Sequence, residues 1–304
     1  MYFIFRDYYR PMIWGCERWI LSAYPQMESI VTNGTYAGYT LSQLIAQLGD
    51  TLMGKQLWQR YGANFPLLIK FIEANDPLSI QVHPSDALAQ RQGKGSVGKT
   101  EMWYALPCAK DAYLLSGLKR SLTPETYKEH VANHTIVDDL ARYTLQEGDC
   151  FFLPAGRIHA IGSGCHLLEI QQSSDLTYRI YDYDRRDAKG QLRELHTDLA
   201  AESIDYTVLP DYRTSYQQRE NVAMPLVQCP YFETTAYQVT KQVTIDWANE
   251  DRFLVLIITA GAGRIEVDGE IVEVTTGDTI LLPATTQRVV ASGTFTFLTT
   301  TCPQ

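Results

Sequence analysis

Short runs of branched and aromatic residues, separated by glycine, proline and polar residues, dominate the hydrophobic pattern of the chain. Such runs predict β-strands, and the clearest are LSIQVH, AYLLSGL, DCFFLPA, CHLLEIQQ, TYRIYDY, FETTAYQVT, FLVLIITA, RIEVDGEIVEV, DTILLPA and FTFLTTT. Residues 41–61 instead carry apolar side chains at helical spacing, and Gly49 and Gly54 divide this stretch into two predicted helices. Thr123 is placed to cap a further short helix over residues 124–130. The pattern predicts a mainly β protein, a double barrel with helical decoration.

One internal repeat indicates how the strands are organised. Residues 147–159 read EGDCFFLPAGRIH and residues 276–288 read TGDTILLPATTQR, with glycine, aspartate, leucine, proline and alanine at matching positions. Two related modules explain this repeat. The polar segment at residues 211–222 is the predicted boundary between them.

The first copy of the repeat also matches a known motif. Gly148, Pro154, Gly156 and His159 have the spacing G(x)5PxGxxH, which resembles the second sequence motif of the cupin superfamily. The resemblance implies two cupin-type jelly-roll β-barrels. In the second copy Thr285 and Arg288 replace the last glycine and the histidine. We therefore expect residues 1–220 to form a catalytic cupin domain with helical insertions, and residues 221–304 a cupin-like domain that lacks the metal ligands.

Candidate metal ligands cluster around that first copy. In LSIQVHPSD, period-2 alternation places Gln81 and His83 on one face of a strand. Glu101 begins the next apolar strand, and His159 comes from the motif. Two histidines and a carboxylate that leave open positions are typical of catalytic zinc. We expect one Zn²⁺ per chain, although nitrogen and oxygen ligands also suit iron, manganese or cobalt.

Charge and composition limit the possible partners. The formal net charge of −9 disfavours nonspecific attraction to nucleic acid or to anionic membranes. The longest apolar run, residues 253–260, is far shorter than the roughly 20 residues of a membrane-spanning helix. The N-terminus lacks the pattern of a secretory signal, and six scattered cysteines suggest no disulfide framework. We expect a cytoplasmic protein that binds neither nucleic acid nor membranes.

Four separated segments, in the expected order, resemble type I mannose-6-phosphate isomerases in their short bacterial form. They read PMIWGCERW, FPLLIKFIEANDPLSIQVHPSD, GKTEMWY and GSGCHLLEIQQSSDLTYRIYDYDR. The resemblance implies interconversion of mannose 6-phosphate and fructose 6-phosphate, with a small sugar phosphate as the substrate and a monomer or weak homodimer as the active form. It also implies that Gln81, His83, Glu101 and His159 bind the metal, and that Arg179 is the active-site arginine.

The group that moves the proton is left open by the sequence. Isomerisation removes a proton beside a carbonyl and forms an enediol, so a base is needed. Lys99 lies two residues from Glu101 and would share its face on a strand, while Asp175 and a hydroxide held by the metal are alternatives. Alternation places Asp175 on the same face as Arg179, whose guanidinium suits a charge-stabilising role.

Substrate binding requires at least one cation for the phosphate. Lys99, Lys119 and Arg179 are the predicted substrate-binding residues, and Lys94 in the glycine-rich loop is a further candidate. Two other classes of function remain open: another metal-dependent cupin enzyme, and a non-catalytic sugar-binding or regulatory cupin, since a fold does not define a function.

Overall fold

The computed structural model describes residues 1–186 and 189–304, and within them the chain is mainly β. The strands of the first 120 residues are β1 (Phe3–Arg6), β2 (Tyr8–Met12), β3 (Gly15–Leu21), β4 (Ile30–Val31), β5 (Leu67–Ala74), β6 (Ile80–Val82), β7 (Glu101–Ala105) and β8 (Tyr113–Leu118). The later strands are β9 (Leu140–Thr144), β10 (Cys150–Leu153), β11 (His159–Ile161), β12 (Cys165–Gln172), β13 (Tyr178–Tyr181), β14 (Met224–Gln228), β15 (Glu233–Val239), β16 (Gln242–Asp246), β17 (Leu254–Val267), β18 (Glu270–Thr275), β19 (Thr279–Leu282) and β20 (Arg288–Thr301).

The helices are short and few by comparison. They are α1 (Leu41–Leu48), α2 (Asp50–Met53), α3 (Lys55–Tyr61), α4 (Asp86–Arg91), α5 (Pro124–Ala132) and α6 (Thr197–Ser203), with 3₁₀ turns at Gly34–Tyr36 and Ile136–Asp139. No helix among the described residues has the length and apolar character needed to cross a membrane. The predicted mainly β architecture with helical decoration is confirmed.

Contacts within the chain define two compact units. One consists of residues 1–9, 18–70 and 214–304, and the other of residues 10–17 and 71–213. Most of the first 70 residues thus group with the C-terminal part of the sequence. The predicted division into residues 1–220 and 221–304 follows chain order instead, and as a statement about domains it stays a prediction.

The first unit contains a nine-stranded sheet. Its order is β14-β15-β20-β17-β19-β1-β4, with β16 paired to β20 and β18 paired to β17. The interior is filled by apolar side chains, among them Leu256, Ile280, Leu282 and Phe297.

Residues 41–61, also in the first unit, form three helices rather than the two predicted. Gly49 and Gly54 each end a helix, with φ of +53° and +86°. A Cβ atom on Gly54 would lie 1.9 Å from the carbonyl oxygen of Asp251, so the backbones approach too closely for any side chain. The two glycines in the sequence predict where the helices end. The four residues of α2 between them are too few to show a helical hydrophobic pattern.

The second unit contains a five-stranded sheet and part of another. The five-stranded sheet has the order β13-β6-β11-β8-β9, and β10-β7-β12 are neighbours in the second sheet. Helices α5 and α6 cover one face of the five-stranded sheet, where Ile80 and Val82 join an apolar cluster with Tyr127 and Ala200. As predicted, Thr123 caps α5, accepting a hydrogen bond from the backbone N–H of Thr126.

Candidate metal centre

Strand alternation places polar side chains on the inner face of the five-stranded sheet. Because Ile80 and Val82 point to the outer cluster, Gln81 points to the opposite face. His159 is the cross-strand partner of Gln81. Ile161, on the same face as His159, packs in a second apolar cluster with Trp103. The inner face is therefore apolar at one end and polar where Gln81 and His159 lie.

Strand β7 supplies the carboxylate that meets these residues. Glu101 has the same parity as Trp103, whose ring lies edge-on to the His159 imidazole at 5.1 Å between centroids. Oε2 of Glu101 lies 3.6 Å from Nε2 of His83, and Oε1 lies 3.3 Å from Nε2 of His159. All three side chains are essentially excluded from solvent. Their ligand atoms lie within 4.8 Å of one another, and no other such group occurs in residues 1–186 and 189–304.

Backbone carbonyls fix the tautomer of both imidazoles. Nδ1 of His83 donates to the carbonyl oxygen of Leu176 at 2.9 Å, and Nδ1 of His159 donates to that of Arg157 at 2.8 Å. A carbonyl oxygen only accepts, so the hydrogen resides on Nδ1 and the lone pair on Nε2. Hydrogen bonds of this kind, to the ring nitrogen that does not bind the metal, orient metal-bound histidines in proteins.

The protonation state of His159 also suits a ligand. Burial, assisted by the charge of Lys99, outweighs the opposing effect of the hydrogen bond to Arg157 and lowers the pKa of this imidazole from 6.5 to about 3. His159 is therefore neutral at physiological pH. Two imidazoles that present Nε2 and a carboxylate that converge on one point fit a divalent ion of the zinc or iron type.

Gln81 lies beside this cluster. Its Nε2 is 3.2 Å from Nε2 of His159, and because His159 carries its hydrogen on Nδ1, the amide group donates. Arg179 is the cross-strand partner of Gln81 on its other side. The side chains of Arg179, Gln81 and His159 thus form a row on one face of three neighbouring strands.

Lys99 forms an ion pair with the candidate ligand Glu101. Its Nζ lies 2.8 Å from Oε2 of Glu101, and the side chain is almost completely buried. Burial alone would lower the pKa of Lys99, but the negative charges of Glu101 and Glu169 outweigh it and raise the pKa above its ordinary value. Lys99 is therefore a buried ammonium group in this arrangement.

Asp175 and Arg179 lie in different surroundings although the sequence places them close together. Oδ2 of Asp175 is 3.4 Å from NH1 of Arg10, and both side chains are about one-third exposed. Arg179 donates from NH1 to the carbonyl oxygen of Glu194, while its buried Nε has no hydrogen-bond partner among the described residues. Burial, followed by the charge of Arg193, lowers the pKa of Arg179, but a guanidinium stays charged at any physiological pH.

Lys119 follows β8 directly, and its side chain is exposed. Within residues 1–186 and 189–304, no hydrogen bond or ion pair joins this side chain to His83, Glu101 or His159. Its predicted role in substrate binding stays a prediction.

Two residues near the site are absent from the predicted set. Glu169 accepts a hydrogen bond from the indole N–H of Trp103 at 3.0 Å, and its negative charge helps to raise the pKa of Lys99. Arg10 links Asp175 to Glu17, whose Oε2 lies 3.7 Å from Arg10 NH1. Alternation along CHLLEIQQ could have placed Glu169 on the inner face once the strand was oriented, whereas nothing in the sequence pairs Arg10 with a residue 165 positions away.

The fold and the site together define a cupin-type protein with a candidate metal centre of two histidines and a carboxylate. Comparisons with known proteins narrow this class. The family described as Phosphomannose isomerase type I, catalytic domain, matches residues 13–111, and the family described as Mannose-6-phosphate isomerase, cupin domain, matches residues 223–301.

Individual relatives agree with these matches. The chain is 37% identical to Mannose-6-phosphate isomerase ManA of Bacillus subtilis, covering 88% of this chain and 83% of that protein. It is 36% identical to the Mannose-6-phosphate isomerase of Streptococcus mutans, with the same two coverages. The crystal structure of the Mannose 6-Phosphate Isomerase from Bacillus subtilis superimposes with a TM-score of 0.87 at 28% identity, covering 98% of this chain and 99% of that one. The chain therefore belongs to the type I mannose-6-phosphate isomerase family, and the predicted family resemblance and cupin fold are confirmed.

Proposed function

We propose that this chain interconverts mannose 6-phosphate and fructose 6-phosphate through an enediol, at the site formed by His83, Glu101 and His159. The observation that carries the proposal is the convergence of three buried ligand atoms within 4.8 Å. It occurs in a chain that is 37% identical to a named Mannose-6-phosphate isomerase over most of its length.

The proposed cofactor is one Zn²⁺ per chain, held by His83, Glu101 and His159, and other divalent metals suit the same donors. A divalent ion bound there would act as a Lewis acid and stabilise negative charge on the reacting oxygens of the sugar. Gln81 is the proposed fourth ligand. It would present its amide oxygen in place of the NH₂ group that now donates to His159.

Lys99 and Asp175 are the proposed proton-transfer residues. The ammonium group of Lys99 lies at the edge of the ligand cluster, where it can donate a proton to a sugar oxygen as charge develops. Asp175 is a partly exposed carboxylate that Arg10 holds in place, so it can accept a proton from a substrate that enters from solvent. Its charge also acts on Lys99, which supports a shared role.

Arg179 is proposed to bind and orient the substrate. It shares an inner face with Gln81 and His159, and its Nε, which has no partner in the described part of the chain, is a donor available for a sugar or phosphate oxygen. Lys99 and Lys119 are the other proposed substrate-binding residues, with the exposed position of Lys119 suited only to the outer end of a substrate.

The proposed setting is the cytoplasm, with the chain acting as a monomer or weak homodimer on a small sugar phosphate. The metabolic character of the named relatives supports this setting. Neither nucleic acid nor a membrane is a proposed partner, since the net charge is −9.

A coupled assay of mannose 6-phosphate turnover, run beside metal analysis of the purified protein, tests the proposal. We expect turnover that disappears on chelation and returns with Zn²⁺. Turnover of other sugar phosphates alone would favour a different cupin enzyme. Saturable binding of mannose 6-phosphate without any turnover in the metal-loaded protein would favour a binding module, and either outcome would refute the proposal.

A further inference from the structure

Two consecutive glutamines at the end of β12 face opposite sides of their sheet. Gln171 is the cross-strand partner of Glu101, so its side chain shares the inner face with that candidate ligand. Gln172 points to the other face. Both side chains are buried, with exposed fractions of 0% and 5%. The pair is a natural comparison, because the residue type and the strand are the same and only the surroundings differ.

The carboxamide of Gln172 is satisfied by the protein at both ends. Its Oε1 accepts a hydrogen bond from the backbone N–H of Thr100 at 2.8 Å, and its Nε2 donates to Oδ1 of Asp86 at 3.0 Å. Gln172 thus holds the start of β7 to the start of α4. Its role is structural.

The carboxamide of Gln171 is satisfied at one end only. Its Nε2 donates to the carbonyl oxygens of Gln172 and Ser174, at 2.8 and 2.6 Å. Carbonyl oxygens only accept, so these two bonds identify the nitrogen end of the amide and fix its orientation. The oxygen end is buried and has no hydrogen-bond partner among residues 1–186 and 189–304.

A buried acceptor without a partner is costly, because it has lost its hydrogen bonds to water, and native proteins rarely leave one without a partner. The partner must be a donor, because Oε1 can only accept. The neighbouring carboxylate of Glu101 cannot serve, and the ammonium of Lys99 is directed to Glu101. A hydroxyl of a sugar bound at the proposed site is a donor of the required kind.

We propose that Oε1 of Gln171 accepts a hydrogen bond from a non-reacting hydroxyl of the bound sugar phosphate, at carbon 3 or carbon 4. The inference rests on the proposed function. The oxygens of carbons 1 and 2 change during the reaction, the oxygen of carbon 5 closes the ring of the cyclic sugar, and carbon 6 carries the phosphate. Carbons 3 and 4 are therefore left for a fixed acceptor. Gln171 is thereby a specificity-determining residue that rejects substrates lacking this hydroxyl, because the acceptor would stay unpaired.

The test compares mannose 6-phosphate with its 3-deoxy and 4-deoxy analogues. We expect wild-type kcat/KM to fall about 5- to 150-fold for one analogue, which corresponds to about 1–3 kcal/mol. Gln171→Met should lower kcat/KM for mannose 6-phosphate by a similar factor. On the analogue for which wild-type kcat/KM falls, kcat/KM of Gln171→Met and of the wild type should agree within about twofold, because neither protein can form the hydrogen bond there.

Gln172→Met is the matched control, since it has the same residue type and the same change of volume on the same strand. We expect it to lower the melting temperature and to affect all three substrates by one common factor. The inference would be overturned if Gln171→Met lowered kcat/KM by the same factor on all three substrates, or if the variant lost bound metal. If Gln171→Met fails to fold, the comparison of wild-type kcat/KM on the three substrates is the test. Equal wild-type values on all three would overturn the inference. Absence of wild-type turnover of mannose 6-phosphate is a separate result, which refutes the proposed function and this inference with it.

Discussion

The two copies of the repeated segment share most of their turn geometry and differ in their chemistry, although Gly156 of the first copy has a φ of +91° that Thr285 of the second does not adopt. Gly148 and Gly277 both have positive φ, of +88° and +96°. The aspartate that follows each accepts a hydrogen bond from a backbone N–H three residues before it, at 2.9 and 2.7 Å. Pro154 and Pro283 each accept from the backbone N–H three residues later, at 3.0 Å in both copies.

The copies diverge at their last residue. His159 begins β11 with its side chain buried, whereas Arg288 begins β20 with its side chain exposed. Around His159 the inner face carries a glutamine and a carboxylate, while the interior of the first unit is filled by residues such as Leu256 and Phe297. The comparison teaches that turn chemistry preserves the scaffold, and that a metal site additionally needs polar residues from strands distant in sequence.

The largest effect should follow from removing a proposed ligand of the first copy. We expect His159→Ala or His83→Ala to lower kcat by about 10³-fold or more, because the metal contributes several kcal/mol of charge stabilisation. Bound metal, measured by mass spectrometry, should fall in parallel. Arg288→Ala in the second copy is the control and should retain activity within about twofold. Normal turnover in either histidine variant would refute its assignment as a ligand.

Arg179 tests whether the inner face contributes more than metal binding. Arg179→Ala should lower kcat by about 10²-fold, as expected for loss of one charged donor to the transition state. Bound metal should stay near the wild-type amount, since no bond joins Arg179 to the ligand atoms in the described part of the chain. Metal loss in this variant would show that Arg179 supports the ligands and not the substrate.

The unusual pKa of His159 predicts acid sensitivity of the metal-free protein. The unfolded chain binds a proton at this position below about pH 6.5, whereas burial keeps the folded imidazole neutral down to about pH 3. Between these values the unfolded state holds more protons, so stability falls as the pH falls, by at most about 1.4 kcal/mol per pH unit. Thermal unfolding of chelator-treated protein from pH 7 to pH 4 should show a steeper decline than in His159→Gln. Parallel declines would contradict the prediction.

The smallest effect should come from restoring the motif in the second copy. The double variant Thr285→Gly and Arg288→His completes G(x)5PxGxxH there, but the interior of this unit is apolar. Position 288 is exposed, beside Asp246 on the neighbouring strand, so the new histidine would lie at the surface and not in a buried cluster of ligands. We expect no additional bound metal per chain. A second equivalent of metal in the double variant would show that one added histidine is enough to create a metal site, which would contradict the contrast drawn between the two copies.

Sequence patterns predict some of the candidate ligands better than others, for physical reasons. His159 follows from a turn motif and Gln81 from strand alternation, both of which are local. The approach of Glu101 to the two histidines depends on which strands pair, and alternation within one strand contains no such information. Asp175 precedes β13 and binds Arg10, so its predicted alternation with Arg179 does not describe its environment.

Both imidazoles of the candidate metal centre are oriented by main-chain oxygens, those of Arg157 and Leu176. No single substitution can delete a main-chain oxygen, so mutation of the residues that supply these acceptors leaves the histidine tautomers intact. Substitutions at positions 157 and 176 should therefore leave the proton of each imidazole on Nδ1, whereas an acceptor supplied by a side chain could be lost in a single change.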